Sequence, residues 1–170
     1  ELIGLIRKTQ MTDGYLNTFN QFHFPGVRWV NLQIEHEMYC LGHLFEAICS
    51  HFDTFKDKEV LRLGQKAADL LVSDFYNASA IQVDGHEEVE IGLLRLFEIT
   101  GSKSYLNLAN KFISVRGTSK LFWWHAHEQK LSYFKRKMIV EEQRRAYSTA
   151  NPGFKFTTIP PNNESIEPPH

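Results

Sequence analysis

Laid over itself with a shift of 45 residues, the sequence repeats: Lys58 falls on Lys103, Leu61 on Leu106, Leu63 on Leu108, Gly64 on Ala109 and Lys66 on Lys111. The stretches ahead of these share Gly42-His43 and Gly85-His86 at a slightly shorter offset. A helix–turn–helix unit recurring at roughly 40–50 residues is the mark of a solenoid or toroid of hairpins, each of which buries its apolar face on a neighbour. Such a chain is all-α. Two readable units with remnants at either end are too few to close a ring.

Periodicity and capping place the helices. An opening helix covers Leu2 to about Thr9, followed by a loop of turn and aromatic residues through Asp13-Gly14-Tyr15 and Pro25-Gly26-Val27-Arg28-Trp29. A histidine-bearing helix is predicted over about Asn31 to Phe52 and the next over Lys58 to Phe75, with Val60, Leu61, Gly64, Ala67, Ala68 and Leu71 as its buried stripe. Asp84-Gly85-His86 is read as a third helix start; Gly101 stops that helix and Ser102 caps a fourth, which ends near Gly117. Beyond Thr118 come the aromatic run Leu121-Phe122-Trp123-Trp124, a mixed-charge helix over about Leu131 to Tyr147 and a proline-rich tail expected to be disordered.

With 42% hydrophobic residues in 170, a substantial core is available. The net charge of -1 gives no footprint for nucleic acid. No apolar run reaches the roughly 20 residues of a membrane span. The chain opens on Glu1 without a signal-peptide apolar region, which reads as a segment cut from something longer. Cys40 and Cys49 lie about two and a half helical turns apart, on opposite sides, and cannot bridge.

The chemistry concentrates in His36-Glu37-Met38-Tyr39-Cys40-Leu41-Gly42-His43-Leu44-Phe45-Glu46-Ala47. On one helix, His36 and His43 point the same way about two turns apart, with Tyr39 between them at side-chain contact spacing. Polar, titratable groups on one face, with Leu41, Leu44, Phe45 and Ile48 elsewhere, line a site. His36-Glu37-x-x-Cys40 approaches the H-E-x-x-H metal motif, and His36, Cys40 and His43 form a conceivable facial cluster. The motif departs from its template and no fourth ligand stands out, so no metal is expected. On the plainer reading Cys40 is a small buried apolar side chain. In Asp84-Gly85-His86-Glu87-Glu88-Val89-Glu90, the carboxylates suit a helix start by dipole alone. His86, matching His43 at that slightly shorter offset, converges with the His36 helix if both helix starts face one cavity. Trp29 and the later tryptophans fit a sugar's C–H face, or plain packing.

Together these strings resemble the zinc-dependent β-L-arabinofuranosidase-like glycoside hydrolases (glycoside hydrolase family 127 and relatives). The resemblance is carried by Asp13-Gly14-Tyr15-Leu16-Asn17-Thr18, Arg28-Trp29-x-Asn31-Leu32, the His36–Ala47 string, Gly85-His86-x-Glu88-x-Glu90, Thr100-Gly101-Ser102-x-x-Tyr105-Leu106-x-Leu108-Ala109 and Val115-Arg116-Gly117. It covers about Leu2 to Gly117. It implies an (α/α)6 barrel, here incomplete, whose inner helices line a sugar pocket. It also implies retaining hydrolysis with a zinc-bound cysteine nucleophile and a glutamate acid/base. The histidines matching His36 and His86 reach the sugar, and the Asp13–Thr18 loop lies at the same mouth.

The family's zinc site uses a glutamate and several cysteines, including an adjacent pair, from a later part of the barrel. This chain has no adjacent cysteine pair. The expectation is therefore a truncated early segment (residues 1–117), an unassigned extension (118–149) and a tail (150–170). Substrate-binding candidates are His36, His86, Tyr39, His43, Trp29 and Asp13, with no catalytic residue and no zinc of its own. Carbohydrate is the expected partner, with self-association through the open edge of the toroid. The competing readings are an inactive sugar-binding scaffold and a helical-repeat interaction module with structural histidines.

Overall fold

A computed structural model of the chain describes residues 1–29, 32, 36–78 and 82–116, together with 134, 135, 137, 138, 141, 142, 145 and 149. The chain divides into two compact units, Glu1–Tyr133 and Phe134–His170. In the second unit the eight described residues are helical. The expectations for the aromatic run at 121–124 and for the tail lie outside the described residues.

Among the described residues the first unit is built from α1 (Leu2–Thr9), α2 (Thr18–His23), α3 (Glu37–Phe55), α4 (Lys58–Phe75), α5 (Glu88–Thr100) and α6 (Lys103–Val115), with no strand. Helix α3 turns into α4 and α5 into α6, and α3 packs on α5 while α4 meets α6. These are the two hairpins of the repeat. Asp57 starts α4 by accepting from the amides of Glu59 and Val60 at 2.9 and 3.2 Å, a cap worth about 1 kcal/mol. Gly101 ends α5 in the left-handed region at φ 72°, where glycine carries no Cβ penalty. No helix of the described residues is long and apolar enough to cross a membrane.

The core lies between the four long helices. Met38, Leu41, Phe45 and Ile48 of α3, spaced three and four residues apart, meet Val89, Leu93 and Leu96 of α5, all buried. The two helices touch backbone to backbone at Gly42 and Gly92: a Cβ on Gly42 would lie 2.5 Å from the Glu88 carbonyl oxygen, and one on Gly92 would lie 2.7 Å from that of Gly42. On the outer pair, Tyr105 donates to Asp69 at 2.7 Å. Lys111 donates to the carbonyls of Phe75, Tyr76 and Ala78 and so covers the end of α4.

Two helix starts differ from expectation. Helix α3 begins at Glu37 rather than near Asn31, because His36 adopts the left-handed region at φ 52° and breaks the helical path. Helix α5 begins at Glu88, since Asp84–Glu87 forms a turn of its own. Ser102 occupies the cap position of α6 without a side-chain capping bond. Helix α2, capped by Asn17 through the Asn20 amide at 2.9 Å, forms within the stretch read as loop.

Candidate functional site

Glu37, the first residue of α3, turns inward and is 3% exposed. Its Oε1 accepts from the Tyr15 hydroxyl at 3.0 Å and from the Asn20 amide, and its Oε2 accepts from the Trp29 backbone N–H at 2.7 Å. The aromatic loop is thus hung on the start of α3. The same geometry throws the preceding residue, His36, to the exposed side. A left-handed non-glycine residue costs about 1–2 kcal/mol and persists where the surroundings enforce it. Here the buried Glu37 bonds on one side and the helix on the other do so.

The second start is built from Asp84, which is fully buried. Its Oδ1 accepts from the His86 amide at 2.8 Å, closing the turn that carries His86. Its Oδ2 accepts from the Tyr39 amide at 3.1 Å. Tyr39 lies in the first turn of α3, where amides have no carbonyl partner within the helix. His36 makes no capping bond, so Asp84 caps α3 from the far side of the site, with its charge at the positive end of the helix dipole. One carboxylate therefore joins both helix starts.

Four aromatic rings meet above this joint. The His36 and His86 centroids are 4.8 Å apart, Tyr39 lies 5.6 Å from His36 and 5.1 Å from His86, and His43 stacks edge-on to Tyr39 at 4.5 Å. His43 Nδ1 lies 3.0 Å from Glu88 Oε1, with Glu46 adjacent. Burial and the neighbouring Glu46 carboxyl push Glu88 above its ordinary value. His36, Tyr39 and His43, read in the sequence as one helix face, and His86, read in a separate string, are brought together.

Beneath them, Arg116 at the end of α6 donates through Nε to Glu90 at 2.7 Å, through Nη1 to the Asp84 carbonyl at 2.9 Å, and through Nη2 to the His86 carbonyl. Burial pushes both Asp84 and Glu90 above the usual carboxylate range, against the lowering influence of Arg116. The folded chain thus holds these protons at a pH where the unfolded chain has lost them. Their contribution to stability is full below the unfolded values, at about pH 4, and is lost as pH rises through the folded ones. Glu90→Gln removes one of these titrations. Urea unfolding at stepped pH should show the variant losing less stability than the parent as pH rises above about 4; an equal or steeper loss contradicts this.

Trp29 and Asp13 stand apart from the four rings in their contacts. Trp29 packs edge-on against Tyr15 and Phe75 at 5.3 and 5.4 Å, and its indole donates to Asp74 at 2.8 Å. Asp13 pairs with Arg28 at 2.5 Å and accepts from the Tyr15 amide at 3.1 Å; the Arg28 guanidinium holds its carboxyl below the usual range. Both shape the aromatic loop. The structure adds Asp84, Glu88, Glu90 and Arg116, which sequence reasoning gave no role at the site. All four lie in strings that carry the family resemblance or directly beside one.

Cys40 is exposed rather than buried. It borders an apolar cavity of about 440 Å³ between α1, the Asn17–Phe19 stretch and α3, which none of the four rings lines. Cys49 is buried, and burial pushes its thiol up to about 11. Among the described residues, the group with ligand atoms within 4.8 Å of one another is His43, Glu46 and Glu88. It contains no thiolate, and the two cysteines diverge from one helix. These residues do not fit a zinc–cysteine centre.

Residues 1–154 match the family model described as β-L-arabinofuranosidase, GH127 catalytic domain. A non-reducing end β-L-arabinofuranosidase of Bifidobacterium longum subsp. longum is 36% identical over 128 residues, covering 71% of this chain and 19% of that protein. The crystal structure of a GH127 β-L-arabinofuranosidase from Geobacillus stearothermophilus T6 superposes with a TM-score of 0.68 at 37% identity, over 76% of this chain and 20% of that one. A second solved structure, of a GH127 β-arabinofuranosidase, gives 0.60 at 28% identity over 69% and 20%. The chain spans about a fifth of the length of each of these relatives.

Proposed function

Since the chain belongs to the GH127 β-L-arabinofuranosidase family, we propose that it supplies part of the wall of an arabinofuranoside pocket, with His36 and His86 contacting the sugar and Tyr39 and His43 completing the surface. The observation that supports this is the meeting of the His36 and His86 rings at 4.8 Å from two separate helix starts. Imidazoles give a sugar hydroxyl either a donor or an acceptor, and the Tyr39 ring gives its C–H face an apolar contact. Trp29 and Asp13 act by setting the loop beside this surface. Leu2, Leu5, Phe19 and Phe22 are exposed, an apolar surface that fits self-association of the chain.

This reading assigns no bond cleavage to these residues. Glycoside hydrolysis needs a nucleophile or activated water on one side of the anomeric carbon and a proton donor on the other. The family resemblance assigns those roles to residues with no counterpart here. The purified 170-residue chain is expected to bind methyl β-L-arabinofuranoside weakly, to lose that binding in His36→Ala or His86→Ala, and to release no aglycone from an aryl β-L-arabinofuranoside. Turnover that disappears in Glu88→Gln would place a catalytic carboxyl beside His43 and overturn this assignment.

A further inference from the structure

His86 serves such a pocket only while its turn is held, and the structure shows what holds it. Residues Asp84–Glu87 precede α5, so helical hydrogen bonding does not fix them. The imidazole does not fix them either: His86 Nδ1 lies 3.8 Å from Asp84 Oδ1 and is buried without a hydrogen-bond partner. What remains is the backbone, gripped from three sides, on one of which Gly85 donates to the Leu32 carbonyl at 3.2 Å. Asp84 accepts from the His86 amide, while Arg116 donates to the carbonyls on either side of Gly85, those of Asp84 and His86. Arg116 is in turn aimed by Glu90, whose side chain is 3% exposed. A planar guanidinium presents its donors in a fixed fork, so two carbonyls and a carboxylate fix the relative placement of α6, α5 and the turn.

We infer that Arg116 is a positioning residue for sugar binding: it clamps the Asp84–His86 turn so that the imidazole meets His36 and Tyr39. The clamp reaches the site from the end of the second hairpin, about 30 residues further along the chain. The binding part of this inference rests on the proposed function; the placement of His86 does not.

The test separates the two. In Arg116→Met, which keeps the aliphatic stem and removes the fork, nuclear Overhauser contacts between the His86 and Tyr39 rings should vanish. Those between Tyr39 and His43, both on α3, should persist. The dissociation constant for methyl β-L-arabinofuranoside should rise roughly tenfold or more, and Arg116→Lys should fall between parent and Met. A merely structural role would leave both ring contacts or weaken both. Retained His86–Tyr39 contacts in the folded variant overturn the clamp. So does unchanged affinity in Arg116→Met when His86→Ala abolishes binding. If Arg116→Met does not fold, Arg116→Lys carries the same comparison. If neither His86→Ala nor Arg116→Met alters affinity, the sugar-binding reading falls, and the ring contacts alone decide for or against the clamp.

Discussion

Glu37→Ala should destabilise the chain by about 3–5 kcal/mol, the cost of taking one partner from a buried polar network. The carboxylate receives the Tyr15 hydroxyl, the Asn20 amide and the Trp29 N–H. Removal leaves the Tyr15 hydroxyl and the Asn20 amide buried, and the Trp29 N–H part-buried, beside a methyl group and the cavity the carboxylate vacates. Set against total stabilities of about 5–15 kcal/mol, this is enough to unfold a small helical chain or nearly so. Glu37→Gln keeps one acceptor oxygen but turns an amide N–H₂ toward a donor, so it should fall between parent and alanine. Urea unfolding of the three proteins checks the order. An alanine variant within about 1 kcal/mol of the parent would show that the loop is anchored elsewhere.

Gly42→Ala comes next in size. Its Cβ would sit 2.5 Å from the Glu88 carbonyl oxygen and 2.7 Å from the Val89 nitrogen, both backbone atoms that no rotamer change can move aside. Helix α5 must back away from α3, at about 1–3 kcal/mol for overpacking of this kind. The displacement falls at the start of α5, next to the His86 turn, so sugar binding should weaken together with the melting temperature. Gly4→Ala in α1 is the control: nothing lies within 4 Å of its Cβ position, and alanine gains about 1 kcal/mol of helix propensity there. A Gly42→Ala protein that melts with the parent would show that the helices do not touch as described.

The hairpins were legible because hydrophobic period and caps are local. The bounds of α1 and α4 follow from the apolar stripe, and Gly101 marks the end of α5 as read. The starts of α3 and α5 were not legible in the same way. His36 has no local reason to be left-handed; the buried bonds of Glu37 and the reach of Asp84 across 45 residues enforce it. Asp84-Gly85-His86 looks like an ordinary cap, yet its carboxylate caps the other helix. The repeat made His43 and His86 legible as Gly-His pairs, and the family strings made His36 and His86 legible as a pair. The polar frame beneath it was not, because Arg116 is tied to Glu90 and the His86 turn only once α5 and α6 have packed. Trp29 was legible as an aromatic, but its contacts with Tyr15, Phe75 and Asp74 were not, because the latter two lie 45 or more residues away in sequence.

The proposed sugar-contacting surface of two histidines from separate helix starts is tested by following the imidazole resonances of the chain during titration with methyl β-L-arabinofuranoside and, separately, with its D-enantiomer. His23 on α2 and His51 toward the end of α3, 3.7 Å from Asp57, serve as internal references outside the site. His36 and His86 are expected to shift together along one saturating curve with the L-sugar while His23 and His51 stay in place, and the D-enantiomer is expected to move neither pair. Shifts at His36 without His86, equal responses from all four histidines, or no response to the L-sugar would overturn the proposal.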